Sequence, residues 1–223
     1  MLKATWQIFM KDVGIELRTG EVVLSTALFA GLVAVLASLS LYIDRNSAIQ
    51  VAPGVLWIAI AFAGVLALGR SWARERENDA FRALLMSPVP RSAIYFGKGL
   101  AVLVFMLAVE VLLVITVGVL FSVDLLGVIG PLALLLLLGT FGFVAAGNLF
   151  AAMGVRTRAR DQLLSVAMFP VIAPALLCGV VATRELLAGA SLTEVFGWVR
   201  ILGAFDLAFA AAGVTLFEPL IND

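Results

Sequence analysis

Four long runs without a charged residue constrain this chain more than any other feature. They cover residues 22–43, 46–69, 125–155 and 162–183, and the shortest contains 22 residues. About 20 apolar residues suffice to cross the hydrocarbon core of a bilayer. Two further apolar stretches are interrupted only by isolated acids. The sequence therefore predicts an all-α polytopic membrane protein with six transmembrane helices, at about 22–43, 50–69, 100–122, 130–153, 163–183 and 201–218.

The overall composition is also typical of an integral membrane protein. Of the 223 residues, 63% are apolar and 13% are charged, whereas soluble domains contain about 25% charged residues. The chain has no evident internal repeat, low-complexity tract or soluble segment of domain size. Residues 1–223 are therefore interpreted as a single transmembrane domain.

The first 21 residues have a different pattern from the spans. Apolar side chains recur every three or four positions, and polar and charged residues lie between them. This spacing is typical of an amphipathic helix on the membrane surface. The apolar positions are Leu2, Trp6, Phe9, Val13 and Leu17.

Basic residues predict the orientation of the chain. With the N-terminus in the cytoplasm, twelve of the 15 Lys and Arg residues lie in the N-terminal segment and in loops 70–99 and 154–161. Such an excess follows the positive-inside rule, which predicts that both termini are cytoplasmic. Segment 184–200 is too apolar for free solvent and too charged for a span, so short helices at the outer interface are expected there.

Several kinds of catalytic site lack the residues they need. The chain contains no histidine and one cysteine, which excludes a histidine-ligated metal or haem, a Ser-His-Asp triad and a CxxC pair. No GxxxxGK[ST] sequence is present for a phosphate-binding loop. We therefore expect no catalytic residues, no metal site and no ATP hydrolysis by this chain alone, and nothing indicates nucleic-acid binding.

Loop 70–99 predicts a short amphipathic helix, roughly Ser71–Met86, that stops before Pro88. One interpretation is a solvated connector whose arginines only set topology. The other is a coupling helix that docks on a cytoplasmic motor, together with the compact basic loop near residue 158. The residues predicted to couple to an ATPase are Arg74, Glu75, Arg76, Glu77, Asp79, Phe81, Arg156, Arg158, Arg160 and Asp161.

Two acids, Glu110 and Asp206, lie inside the predicted spans rather than at their last residue. Glu110 lies near the middle of the third span, where a carboxylate costs at least about 2.5–3.5 kcal/mol on insertion scales. It is therefore expected either to face a functional cavity or to form a structural hydrogen bond with a neighbouring helix. Asp206 is near the start of the sixth span, close to the outer face, where the water interface is expected.

Two sequence blocks resemble the haem exporter protein B family (CcmB) of bacterial cytochrome c maturation. The first runs from APGVLW at 52–57 through the charged loop to LMSPVP at 85–90, and the second starts with LGTFGF at 138–143. The likeness covers nearly the whole chain apart from 184–200. The residues assigned to the family motif are Ala52, Pro53, Gly54, Trp57, Pro88 and Lys98.

The resemblance implies a permease subunit of the ABC-2 type in the bacterial inner membrane. It implies a separate ABC ATPase that binds ATP, a second copy of the chain, a haem-handling membrane subunit, a small single-span subunit and a periplasmic haem chaperone. In that family the complex handles haem, and ATP hydrolysis is linked to release of the loaded chaperone. The absence of histidine argues against haem ligation by this chain.

Two other transport functions share the same sequence features. An ABC-2 permease that exports a drug, lipid or polysaccharide would have the same fold, and only the two motif blocks argue against it. An ion-coupled carrier would use Glu110 as its proton site. A Ser–His intramembrane protease is excluded by the absence of histidine.

Overall fold

The computed structural model describes residues 1–41, 45–76, 86, 88–154 and 168–222. All regular secondary structure among these residues is helical. The helices are α1 (Leu2–Thr19), α2 (Glu21–Ser40), α3 (Arg45–Arg76), α4 (Arg91–Phe121), α5 (Ile129–Gly154), α6 (Met168–Leu187) and α7 (Phe196–Asn222).

Helices α2 to α7 are long and apolar enough to cross a membrane, which confirms the prediction of six spans. Helices α3, α4 and α7 extend beyond the apolar runs from which they were predicted. Arg, Glu and Lys are good helix formers, so a helix continues after it leaves the hydrocarbon. As a result, α3 reaches Arg76 and α4 begins at Arg91, and both project further than expected.

Helix α3 lies at the centre of the bundle and contacts α2, α4, α5 and α6. Leu56, Ile60 and Leu68 on α3 are fully buried. Helices α2 and α7 lie on the outside, where α2 exposes Leu24 and Leu28. Lipid tails are as apolar as leucine, so such exposure carries no penalty within a bilayer.

Helix α1 is amphipathic, as predicted, but its two acids face the protein. Its buried residues are Ile8, Asp12 and Glu16, spaced one turn apart, whereas Leu2 and Leu17 are 86% and 84% exposed. A lipid interface accepts the apolar side of such a helix. The inward acids therefore need partners from the bundle.

The connection between α6 and α7 differs from expectation. Helix α6 continues to Leu187 and α7 begins at Phe196, with turns between them, so the prediction of separate short helices in 184–200 is wrong. Leu186, Leu187, Phe196, Trp198 and Val199 belong to the ends of the two helices, and Val195 is buried in the turns between them. The indole Nε1 of Trp198 donates a hydrogen bond to Glu185 Oε2 at 3.0 Å and holds the two ends together.

The side chain of Trp57 fills the space where three helices meet. A Cβ atom added at Gly139 on α5 or at Gly179 on α6 would lie 2.5 Å from its ring. Its Nε1 donates a hydrogen bond to Thr183 Oγ1 at 3.0 Å. Both glycines are thus required for α5 and α6 to approach α3 closely.

We expect Gly179→Ala to destabilise the protein by about 1–3 kcal/mol, because the added methyl overlaps the Trp57 ring. Gly31→Ala is the matched control, since nothing lies within 4 Å of a Cβ at that position. Combining Gly179→Ala with Trp57→Phe should recover part of the loss, because the phenyl ring is narrower. Thermal unfolding of the detergent-purified protein measures all three, and equal midpoints for Gly179→Ala and Gly31→Ala would contradict the prediction.

Candidate functional site

Eight charged side chains meet where α1, the start of α2, the end of α3 and the start of α4 come together. Four are cations and four are anions, so their charges balance. We call this group the charge cluster and this side of the molecule the α1 end. Its members are Lys11, Asp12, Glu16, Glu21, Arg70, Arg74, Glu75 and Lys98.

Lys98 is the most deeply buried member, with 1% of its surface exposed. Its Nζ donates hydrogen bonds to Asp12 Oδ2 and to Glu75 Oε1, both at 3.0 Å. It also lies 5.3 Å from the centre of the Trp72 ring, within the range of a cation–π interaction. One ammonium on α4 therefore binds an acid from α1 and an acid from α3.

Lys11 completes the inner part of the cluster. Its Nζ lies 2.6 Å from Glu75 Oε1 and 3.2 Å from Asp12 Oδ1. Burial alone would lower the pKa of the Lys11 ammonium, but the two carboxylates outweigh burial and raise it. Two ammonium groups and two carboxylates thus contact one another in a closed, neutral group.

The outer part of the cluster joins α1, α2 and α3. Arg74 Nη2 lies 3.0 Å from Glu16 Oε2 and 3.2 Å from Glu21 Oε2. Glu16 Oε1 also accepts a hydrogen bond from the backbone N–H of Val23 at 2.8 Å, which caps the first turn of α2. The left-handed Gly20, with φ of 62°, makes the sharp turn between α1 and α2.

A chain of neutral hydrogen bonds connects the cluster to the rest of the bundle. The indole of Trp72 donates to Asn148 Oδ1 at 2.7 Å, and Asn148 Nδ2 donates to the carbonyl of Tyr95 at 2.8 Å. The Tyr95 hydroxyl donates to the carbonyl of Ala145 at 2.9 Å. Side chains of α3, α4 and α5 are thereby fixed relative to one another.

The described part of the predicted coupling helix extends α3. Residues 71–76 continue α3 without a break, and Arg74 and Glu75 belong to the charge cluster. Glu75 is only 4% exposed, because its carboxylate is held inward by the buried Lys98 ammonium. This position does not fit the predicted contact of Glu75 with a partner. The side chain of Arg76 and the other predicted coupling residues lie outside the described part of the chain; these are Glu77, Asp79, Phe81, Arg156, Arg158, Arg160 and Asp161.

The motif residues do not form one site. Ala52, Pro53 and Trp57 are buried on α3, with Gly54 partly exposed beside them. Lys98 lies in the charge cluster. Pro88 is exposed, just before α4. The motif thus marks the core of α3 and the α1 end of the bundle.

Glu110 and Asp206 are both buried. Glu110 is 2% exposed and its Oε1 accepts a hydrogen bond from the Thr140 hydroxyl on α5. Asp206 is 5% exposed and lies against Gly142, so the expected position at the water interface is wrong. The physical reason is that Gly142 has no side chain, which leaves a recess in α5 for the carboxylate.

The family model described as CcmB protein matches residues 3–217, which include most of all seven helices. The chain belongs to the CcmB family. Its similarity to the heme exporter protein B of Bradyrhizobium diazoefficiens is 28% identity over 185 residues, 82% of each chain. The heme exporter protein B of Paracoccus denitrificans is 30% identical over 165 residues, which cover 72% of this chain and 73% of the relative. The heme exporter protein B of Escherichia coli K12 is 27% identical over 96 residues, which cover 43% of this chain and 44% of the relative.

Several residues of this CcmB family member were missed by the sequence patterns. Asp12 and Glu16 stand four positions apart, which places them on one side of a helix, but this spacing does not show that the side faces the bundle. Asn148 and Thr140 are single polar residues in an apolar run, and their partners are distant in sequence. Lys98 was assigned only through the motif, since a lysine next to an apolar run ordinarily lies at the membrane interface.

We expect Lys98→Met to destabilise the protein by about 3–5 kcal/mol, because it leaves buried carboxylates without their cation. Adding Asp12→Asn should restore part of the stability, since the inner group is then neutral again. The thermal midpoint of the purified protein is the measurement. Lys3→Met, a change at an exposed lysine of α1, is the control, and an equal effect at the two lysines would show that the cluster contributes nothing.

Proposed function

We propose that this chain is the membrane permease subunit of an ABC-type complex in cytochrome c biogenesis. The observation that carries the proposal is the family match over residues 3–217 on a bundle of six candidate membrane helices. The relatives are named heme exporters, which favours haem handling over export of a drug, lipid or polysaccharide.

In this proposal ATP is bound and hydrolysed by a separate ATPase subunit, and this chain is not itself an enzyme. Two copies of the chain work with the ATPase. A haem-handling membrane subunit and a small single-span subunit complete the complex. ATP hydrolysis is coupled to haem handling, or to release of a haem-loaded periplasmic chaperone.

The α1 end supplies a mechanical route for such coupling. Helix α3 runs without interruption from Arg45 to Arg76 and leads directly into segment 77–85. Glu75 anchors it just before that segment, and Lys98 anchors α4 after it. A push on segment 77–85 is therefore transmitted along α3 to Trp57, where α5 and α6 make close contact.

In the bacterial inner membrane this arrangement requires the α1 end to be cytoplasmic. Single cysteines at Asn78 and at the exposed Ser191, in a Cys178→Ala background, should be labelled by a membrane-impermeant maleimide from opposite sides. Asn78 should react only in inverted vesicles and Ser191 only in intact spheroplasts. Labelling of both from the periplasm would contradict the proposed orientation.

We expect the double charge reversal Glu77→Lys with Asp79→Lys to release the ATPase and to abolish cytochrome c maturation. In the proposed complex, two positive charges would then meet the ATPase surface that had matched two negative ones. Glu75 is left unchanged because it stabilises the charge cluster. The measurements are retention of the ATPase on affinity purification and the amount of haem-stained cytochrome c in a complemented deletion strain.

The matched control neutralises the same two positions, Glu77→Gln with Asp79→Asn. Exposed charge pairs are each worth about 0–1 kcal/mol, so this control should retain most of the ATPase and most of the activity. Normal ATPase retention and normal maturation by the reversed variant would show that this segment is not the docking element.

A further inference from the structure

A groove of about 380 Å³ lies between α4 and α5, towards the short connection that joins them. Val111 and Ile115 form its α4 wall, and Ile129 and Ala133 form its α5 wall. These four side chains are exposed, and Val111 has 61% of its surface uncovered. The groove therefore opens to the surroundings of the bundle rather than into its core.

Glu110 lies at the bottom of this groove. Its Oε1 is occupied by the Thr140 hydroxyl, but its Oε2 is buried and receives no hydrogen bond from any residue that the structure describes. The described residues also offer it no ion pair. One strong acceptor thus lies unsatisfied beside an opening, which is costly in an apolar environment.

The depth of this acceptor restricts what can satisfy it. Glu110 lies eleven residues before the end of α4 at Phe121, and Thr140 lies eleven residues after the start of α5 at Ile129. At 1.5 Å per residue, both lie about 16 Å along their helices from the connection.

A lipid headgroup remains at the interface, and an acyl chain has no hydrogen-bond donor. A water molecule needs two to four polar partners, and the apolar walls offer it few.

The shape of the groove suits a helix. Val111 and Ile115 are four residues apart on α4, as are Ile129 and Ala133 on α5, so each wall is an i to i+4 ridge. Ridges of this spacing pack against the ridges of another helix. A transmembrane helix can also carry a hydrogen-bonding side chain at mid-membrane depth.

We propose that this groove binds a transmembrane helix of a different polypeptide, whose serine, threonine, asparagine, glutamine or basic side chain donates a hydrogen bond to Glu110 Oε2. Thr140 positions the carboxyl group and the apolar walls supply the packing. The groove and the unsatisfied oxygen carry this inference, which does not depend on the proposed function in cytochrome c biogenesis.

The test is site-specific photo-crosslinking of the full chain in native membranes. A benzophenone amino acid replaces Val111 in the groove or, as the matched control, Leu112, which is also exposed but does not line the groove. We expect Val111 and not Leu112 to form an adduct with a membrane-spanning peptide of another protein. Mass spectrometry of the adduct should place a donor side chain of that peptide near the middle of its span.

Variants of Glu110 connect the adduct to the hydrogen bond. Glu110→Leu should lower the Val111 adduct by about 3- to 20-fold, as expected for loss of one hydrogen bond within a membrane. Glu110→Gln should keep most of it, because the amide oxygen still accepts. Ala133→Trp fills the groove while leaving Glu110 and Thr140 intact, so it should abolish the adduct even if Glu110→Leu fails to accumulate.

Three results would overturn the proposal. The first is an adduct with lipid alone at both positions, which would make the groove a lipid-facing surface. The second is an adduct with a second copy of this chain. The third is a yield that neither Glu110→Leu nor Ala133→Trp reduces.

Discussion

The burial of the Lys98 ammonium imposes the strongest constraint on the α1 end. An isolated buried charge is costly, so this lysine requires acids from elsewhere in the fold. Asp12 comes from α1 and Glu75 from α3, each 3.0 Å from the ammonium nitrogen. The position of α1 therefore depends on these ion pairs as well as on burial of Ile8, while Leu2 and Leu17 remain exposed.

Helix α3 is held at two places that are far apart along its length. Near its middle, Trp57 fits against two glycines and donates a hydrogen bond to Thr183. At its end, Arg74 and Glu75 are held by residues of three other helices. Contacts at two distant places hold α3 firmly within the bundle, which is the property that the proposed coupling requires of this helix.

Helix α5 accommodates both Glu110 and Asp206, through the hydroxyl of Thr140 and the bare backbone of Gly142. The small residues of this helix thus do more than permit close helix packing. They create recesses in which a carboxyl group can be held within the membrane. At Glu110 the recess opens into the groove between α4 and α5. The carboxyl group therefore has a second oxygen for a helix of another protein, in addition to the one that Thr140 occupies.

The sequence alone determined the six spans, the interfacial helix and the family, because long apolar runs, helical periodicity and short motifs are local properties. Hydropathy marks where a chain crosses the hydrocarbon, so it could not show that α3 continues to Arg76. The inward position of Glu75 and the recess for Asp206 were decided only by tertiary structure. Each depends on a residue distant in sequence, Lys98 or Gly142, and periodicity shows which side of a helix a residue occupies but not what that side meets.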